Sequence, residues 1–230
     1  MTPVALPTRP PTRRDLVEPS VVVLVSERLT KSYSRGIWPL RRRQPVLRGV
    51  DLSLRAGEVV GLVGENGSGK STLMKIIVGA LAADSGTVTR EGRLGYCPQQ
   101  PQLYARLTCD EHFDLFGHAY SMHATDIVTS RDGLYESLGF ARYARTRAGQ
   151  LSGGTLAKLN LSLALLADPD LLLLDEPYAG FDWDTYLKFW GLVAERRGRG
   201  RTVLIISHFV VDEEKFDRIV AVSDGLAVPR

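Results

Sequence analysis

The chain has 230 residues, of which 44% are hydrophobic, and its 29 basic and 26 acidic residues give a net charge of +3. This length suits a single α/β domain with a sizeable core, and so small a net charge gives no argument for a nucleic-acid partner. The two cysteines, Cys97 and Cys109, are too few for a disulfide or metal framework, so we expect reduced thiols in a cytosolic protein. No apolar stretch is long enough for a signal peptide or a transmembrane helix, so any membrane role must come through a partner.

The first part of the chain predicts a tail followed by strands. Residues 1–20 are rich in proline, arginine and threonine without periodicity, and we expect a mobile tail there. Strands are predicted at Val21–Val25 and Leu29–Tyr33. The next segment, Ser34–Pro45, is either a solvated hairpin loop or a contact to a membrane partner. Alternating apolar residues then predict a strand over Val46–Leu54.

The stretch Gly64–Thr72 fits the glycine-rich pattern that cradles phosphates. It follows an apolar, β-branched run at Val59–Val63 and opens a helix predicted over Lys70–Leu81. A turn of this kind directs backbone N–H groups inward, and the helix N-terminus adds partial positive charge. Lys70 can then reach the outer phosphates, and the Ser71 hydroxyl can hold Mg²⁺. The nucleotide-binding residues expected here are Gly64, Asn66, Gly67, Ser68, Gly69, Lys70, Ser71 and Thr72.

The middle of the chain changes from strand to helix periodicity. From Thr108 onward apolar residues recur at helical spacing, and Thr108 with Glu111 forms a capping box. We predict a mainly helical insertion over residues 100–167. Within it, Leu151–Thr155 (Leu-Ser-Gly-Gly-Thr) precedes a strongly apolar helix, Leu156–Ala167, whose N-terminus can receive an anion.

Polar side chains follow two predicted strands. Leu171–Leu174 is a continuous apolar run, typical of a strand covered on both faces, and it ends in Asp175 and Glu176. Open α/β sheets bind ligands at the carboxyl ends of their strands. Asp175 is suited to support Mg²⁺, and Glu176 can accept a proton from an attacking water. The next buried strand, Thr202–Ile206, leads to His208, which we expect to face the same crevice.

Two further residues gain meaning only beside these motifs. Gln99 follows a predicted strand and a proline at the junction with the helical insertion. Tyr33 lies at a suitable distance before the core for its ring to stack on a base, although Trp38 is a rival. After the carboxylates, Asp182–Arg196 is helical by pattern.

Taken together, these residues resemble the ATP-binding subunit of an ABC transporter over nearly the whole chain after the tail. Gly64–Thr72 matches Walker A, and Leu171–Asp175 matches Walker B. Leu151–Thr155 resembles the family signature, which normally ends in glutamine rather than threonine. The resemblance implies an α/β fold: a P-loop NTPase core with a mostly parallel sheet, an N-terminal antiparallel β subdomain and an inserted helical signature subdomain. Residues 21–230 would form this one ATPase domain.

The resemblance also implies roles. Glu176 matches the catalytic glutamate, His208 the switch histidine, Gln99 the Q-loop glutamine, and Tyr33 the adenine-stacking aromatic; Asp182 takes the acidic position of the D-loop. Mg²⁺ would be held by Ser71, Gln99 and Asp175. ATP bound to the phosphate loop of one subunit would meet the signature residues of a second subunit, namely Ser152, Gly153 and Gly154.

The implied assembly is a homodimer with two ATP molecules between its subunits, peripheral on the inner face of the cell membrane and attached to a separate transmembrane permease. ATP-driven closure would drive the permease, and hydrolysis would reopen the dimer. The short segment after the last predicted strands favours an exporter of drugs, lipids or antibiotics. An importer ATPase for a small solute is the alternative. A soluble ATPase acting on DNA or ribosomes, and a scaffold that binds ATP without turnover, are less consistent with the motifs; no nucleic acid is expected.

Overall fold

The computed structural model describes residues 21–35, 42–207 and 212–230. The predicted tail at residues 1–20, part of the predicted loop at residues 36–41, and His208 lie outside the described residues. The strands are β1 Val22–Arg35, β2 Arg42–Arg55, β3 Val59–Val63, β4 Ser85–Arg90, β5 Leu94–Cys97, β6 Leu171–Asp175, β7 Thr202–Ile206, β8 Arg218–Ser223 and β9 Leu226–Pro229. The α-helices are α1 Lys70–Ile77, α2 Cys109–Ala119, α3 Ala124–Leu138, α4 Gly153–Leu165 and α5 Trp183–Gly198.

The central sheet has six strands in the order β5-β6-β7-β3-β8-β9. Every pairing is parallel except that of β8 with β9. All residues of β3, β6 and β7 are buried, because helices and the second sheet cover both faces of these inner strands. Their continuous apolar runs in the sequence therefore reflect their central position, and the predicted P-loop NTPase core is confirmed.

A second, antiparallel sheet, ordered β2-β1-β4, packs beside the first. The pairing of β1 with β2 continues from Val22 opposite Arg55 to Arg35 opposite Arg42. The two strands predicted at the start of the chain are thus one strand with bulges, and the loop predicted at Ser34–Pro45 is too long at both ends. Buried side chains of β1 and β2 share one core with α1, which fixes the antiparallel sheet against the phosphate loop.

The helices α2, α3 and α4 lie between β5 and β6 in the chain, within the insertion predicted from the loss of strand alternation. The capping box at the start of α2 is confirmed: the Glu111 N–H donates to Thr108 Oγ1, and the Thr108 N–H donates to a Glu111 carboxylate oxygen at 2.7 Å. The Tyr135 hydroxyl of α3 donates to Asp110 of α2 at 2.9 Å. This hydrogen bond joins α2 to α3, and buried residues of α2, α3 and α4 share one hydrophobic core with the sheet.

The predicted end of the first helix is wrong. The helix α1 ends at Ile77 rather than Leu81, because Gly79 has a left-handed backbone (φ +82°) that cannot continue a helix. The strand β8 is an inner strand of the sheet, because it pairs with both β3 and β9. The strand β9 follows β8 directly, but β3 is distant in the chain, so the local pattern of β8 carried no information about its pairing with β3.

A substitution at Gly95 of β5 would test how closely α4 packs on the sheet. A Cβ there would lie 2.3 Å from the Ala164 carbonyl oxygen and 2.6 Å from Pro169 Cγ. We expect Gly95→Ala to lower the free energy of unfolding by about 1–3 kcal/mol, as overpacking does, measured by urea denaturation. The matched control is Gly133→Ala in α3, where a Cβ would meet no atom within 4 Å. That substitution should stabilise the chain by up to about 1 kcal/mol through helix propensity. An unchanged midpoint for Gly95→Ala would contradict the observed packing.

Candidate nucleotide-binding site

The phosphate loop between β3 and α1 is held in shape by packed glycines. Gly64, Gly67 and Gly69 have φ angles of +150°, +82° and +112°, which side chains disfavour. A Cβ on Gly64 would lie 2.3 Å from the Val222 carbonyl oxygen of β8, and one on Gly69 would lie 2.8 Å from Leu47 of β2. A Cβ on Gly67 would meet no atom within 4 Å. The loop is therefore wedged between strands on two sides and open at Gly67.

Lys70 lies inside this loop rather than in solvent. Its side chain is buried, and its Nζ donates to the carbonyl oxygens of Gly64 at 2.6 Å and Glu65 at 2.9 Å. Burial lowers the pKa of Lys70, and the nearby carboxylates of Glu176 and Asp175 oppose that effect. The ammonium is thus positioned on the loop and has lost much of its water, so it can bind an anion strongly.

The residues present fit a phosphate chain. Ser68 Oγ is buried and has no hydrogen-bond partner in the described part of the chain, and a buried hydroxyl left in that condition costs about 1–3 kcal/mol. A phosphate oxygen is a suitable acceptor for it. A cleft of about 320 Å³ lies above the loop. It is lined by Val46, Asn66, Gly67, Gly69, Lys70, Ser71, Thr72, Gln99 and Glu176.

The predicted catalytic carboxylate and the Q-loop glutamine meet across this cleft. Gln99 Nε2 donates to Glu176 Oε2 at 2.9 Å, although the two residues are 77 positions apart. Glu176 has a left-handed backbone (φ +51°), and its N–H donates to the Ile206 carbonyl oxygen of β7 at 3.1 Å. Strained non-glycine backbone of this kind concentrates at functional sites. The turn after β6 thus brings the carboxylate to the cleft instead of continuing the strand.

The residues predicted to hold Mg²⁺ border a common space. Ser71, Gln99 and Asp175 all line a larger cavity of about 970 Å³ that adjoins the phosphate cleft. No cluster of three or more His, Cys, Asp or Glu side chains suited to a metal occurs within residues 21–35, 42–207 and 212–230. Mg²⁺ usually binds through one or two protein groups together with substrate phosphates and waters, and this mixed oxygen set fits that habit.

Tyr33 lies at the edge of the loop. Its side chain is exposed, and its hydroxyl oxygen is 3.4 Å from Thr72 Oγ1 at the start of α1. The exposed ring on β1 is thus next to the phosphate cleft, as a base-stacking role requires. The rival Trp38 lies outside the described residues.

The signature residues form a separate surface. Ser152 caps α4: its Oγ accepts the Thr155 N–H at 3.3 Å and is 3.0 Å from Thr155 Oγ1. A Cβ on Gly154 would lie 2.8 Å from the Gly180 carbonyl oxygen, so the signature helix packs directly on the D-loop. None of Ser152, Gly153 and Gly154 is among the described residues that line the phosphate cleft.

Asp182 begins the neighbouring helix. Its carboxylate accepts the Thr185 N–H at 2.8 Å and caps α5. Hydrogen bonds from Thr185 hold the pKa of Asp182 below its usual value. Its observed contacts are therefore those of a helix cap, beside the signature glycines and not in the phosphate cleft.

Sequence reasoning missed two contributors to this region. Val46 was predicted only as a strand residue, yet it lines the cleft beside Gly69. The Tyr178 hydroxyl hydrogen-bonds Ser207 at the end of β7, and burial raises its pKa. No local pattern marks either residue, because each contact joins segments that are distant in the chain.

Comparisons with known proteins agree with this geometry. The family model described as ABC transporter matches residues 47–179, which is more than half of the chain. The Nod factor export ATP-binding protein I of Azorhizobium caulinodans is 34% identical over 203 residues, covering 83% of this chain and 63% of the relative. The chain therefore spans somewhat less than two thirds of that relative's length.

Solved structures show the same fold. The chain resembles an ATP-binding subunit of an ABC transporter with a TM-score of 0.81 and 26% identity, covering 90% of this chain and 89% of the other. It also resembles a bacterial ABC transporter cassette solved as a dimer, with a TM-score of 0.78 and 26% identity, covering 89% and 96%. The chain belongs to the ABC transporter family, and its fold is that of an ATP-binding cassette. None of its described helices has the length and apolar character needed to cross a membrane.

Lys70 gives a direct test of the site. We expect Lys70→Ala to weaken ATP binding about 10- to 100-fold, since it removes a desolvated charge that contacts the phosphates, and fluorescent-nucleotide titration would measure this change. Lys188→Ala is the control, because Lys188 is an exposed lysine of α5 that lines neither the phosphate cleft nor the larger cavity beside it. Equal affinities for the two variants would remove Lys70 from the site.

Proposed function

We propose that the protein is an ATPase that works as a head-to-tail homodimer and drives a separate membrane permease. The observation that carries this proposal is the meeting of Lys70, Gln99 and Glu176 at one cleft beside an open glycine loop. These groups place a phosphate-binding cation next to a carboxylate that can orient a water, and phosphoryl transfer to water requires both.

In the proposed reaction, a water attacks the terminal phosphorus of ATP and the bond from that phosphorus to the ADP oxygen breaks. Glu176 accepts the proton of the water, and Gln99, already hydrogen-bonded to Glu176, orients both. Lys70 neutralises charge on the outer phosphate oxygens. Mg²⁺, when bound beside Ser71, Gln99 and Asp175, would neutralise the remaining phosphate charge.

His208 would contact the terminal phosphate in this proposal. The strand end that leads to it is constrained, since Ser207 is buried and bonded by the hydroxyl of Tyr178.

Dimerisation follows from the separation of the two phosphate-binding surfaces. Ser152, Gly153 and Gly154 are exposed or half-exposed at the start of α4 and do not line the cleft of their own chain. A second subunit in head-to-tail arrangement could bring them to the ATP held by Lys70. The dimeric form of a similar cassette supports this reading.

The transport partner and direction are proposed from the relatives. The similarity to Nod factor export proteins supports an exporter, with the ATPase on the cytoplasmic face of the membrane. In this proposal the permease would bind at the 970 Å³ cavity between the sheet and the inserted helices. Gln99 lines this cavity and also the phosphate cleft, so it would link the permease contact to the bound nucleotide. An importer ATPase for a small solute remains the second candidate, since the site is compatible with transport in either direction.

Glu176→Gln separates binding from turnover. The amide keeps the size of the side chain but cannot accept the proton, so we expect ATP affinity within about threefold of the original and a fall in turnover of at least about 100-fold. In the presence of ATP, this variant should then accumulate as a dimer, which light scattering after size-exclusion chromatography would measure. Lys70→Ala added to the same chain should raise the ATP concentration needed for that dimer by about 10- to 100-fold, because ATP binds more weakly. Normal turnover of Glu176→Gln would exclude Glu176 as the base.

The permease is tested by copurification. Tagged protein extracted from native membranes in detergent should retain a multi-span membrane protein, identified by mass spectrometry, and added permease should raise ATP turnover. Recovery with ribosomes or DNA instead would show that the transporter proposal is wrong and would favour the soluble class of ATPase.

A further inference from the structure

The signature helix carries a contact that depends on the threonine in place of the usual glutamine. Thr155 Oγ1 lies 3.0 Å from Ser152 Oγ, and the Thr155 N–H donates to the same Ser152 oxygen at 3.3 Å. A single residue thus contacts the serine hydroxyl through both its backbone and its side chain.

Burial decides which hydroxyl donates. The side chain of Thr155 is buried at 8% exposure, whereas Ser152 is exposed. A buried hydroxyl that does not donate leaves its proton unsatisfied, whereas an exposed hydroxyl can direct its proton to water or a ligand. The 3.0 Å contact fits either direction, and from this burial we infer that Thr155 donates and Ser152 accepts.

The consequence is a fixed direction for the Ser152 proton. A serine oxygen has two acceptor lone pairs and one proton. Thr155 fills both acceptor positions, one with its N–H and one with its O–H. The Ser152 proton is then directed away from α4, on the exposed side of the helix start.

We propose that Thr155 is a positioning residue that sets the Ser152 hydroxyl as a donor to the terminal phosphate of the ATP bound by a partner subunit. This inference rests on the proposed function, in which two subunits share each ATP. A hydroxyl aligned before binding loses less rotational freedom when it meets the phosphate, so it strengthens the ATP-bound dimer.

The test uses the full chain with Glu176→Gln and measures the ATP concentration that gives half-maximal dimer. Thr155→Val keeps the branched shape and the backbone cap but removes the hydroxyl. We expect this concentration to rise about five- to tenfold, the usual worth of one hydrogen bond, while monomeric ATP affinity stays the same. Thr155→Ser should restore the original value, because serine returns the donor.

Two comparisons separate positioning from a general structural effect. In a chain that also carries Ser152→Ala, Thr155→Val should add nothing, since Thr155 acts through the Ser152 hydroxyl. Ser162→Ala is the matched control: it removes another buried hydroxyl of α4, one that donates to the Lys158 carbonyl oxygen at 2.8 Å, and it should leave the dimerisation curve unchanged.

The outcomes distinguish this inference from the proposed function. If the Glu176→Gln chain dimerises with ATP but Thr155→Val leaves the midpoint unchanged, or if its effect persists beside Ser152→Ala, the positioning role is wrong and the ATPase dimer stands. If the Glu176→Gln chain forms no dimer, alone or with its permease, both fall together.

Discussion

The structure depends on the way a buried lysine is held by the backbone of its own loop. Lys70 can approach the carbonyl oxygens of Gly64 and Glu65 only because the loop between β3 and α1 takes left-handed glycine conformations. Neighbouring strands hold those conformations from both sides, through Val222 and Leu47. The antiparallel sheet therefore contributes to the site as a wall of the phosphate loop, and it places Tyr33 and Val46 at the edge of the binding region.

A second constraint links the loop to the inserted helices. The Gln99–Glu176 hydrogen bond joins the end of β5 to the turn after β6. On the other side of that junction, the Asn160 amide of α4 donates to the Pro98 carbonyl oxygen at 2.8 Å. Gln99 is thus bounded by the proposed base on one side and by the signature helix on the other. Displacement of Gln99 would therefore change both contacts, which fits the proposed coupling of the nucleotide site to a permease.

The charged groups also differ between the phosphate cleft and the signature surface. The acidic groups near the phosphate loop, Asp175 and Glu176, lie at or just after the end of β6 and oppose the loss of the Lys70 charge on burial. The capping groups of α4 and α5, by contrast, lie outside the cleft on the surface shared by Gly154 and Gly180. The phosphate cleft and the signature surface are therefore separate within one chain, and the proposed homodimer would bring the signature surface of one subunit to the cleft of the other.

The sequence by itself determined the local features: the glycine loop, the buried strands, the capping box at Thr108 and the motifs that define the ABC transporter family. These depend on spacing within a few residues, so periodicity and motif pattern predict them. The chain-distant relations were decided only by the tertiary structure: the interior position of β8, the close packing around Gly64 and Gly69, the contact of Gln99 with Glu176, and the burial of Thr155. Each depends on segments that packing brings together, and the sequence pattern of one segment does not show which distant segment will contact it.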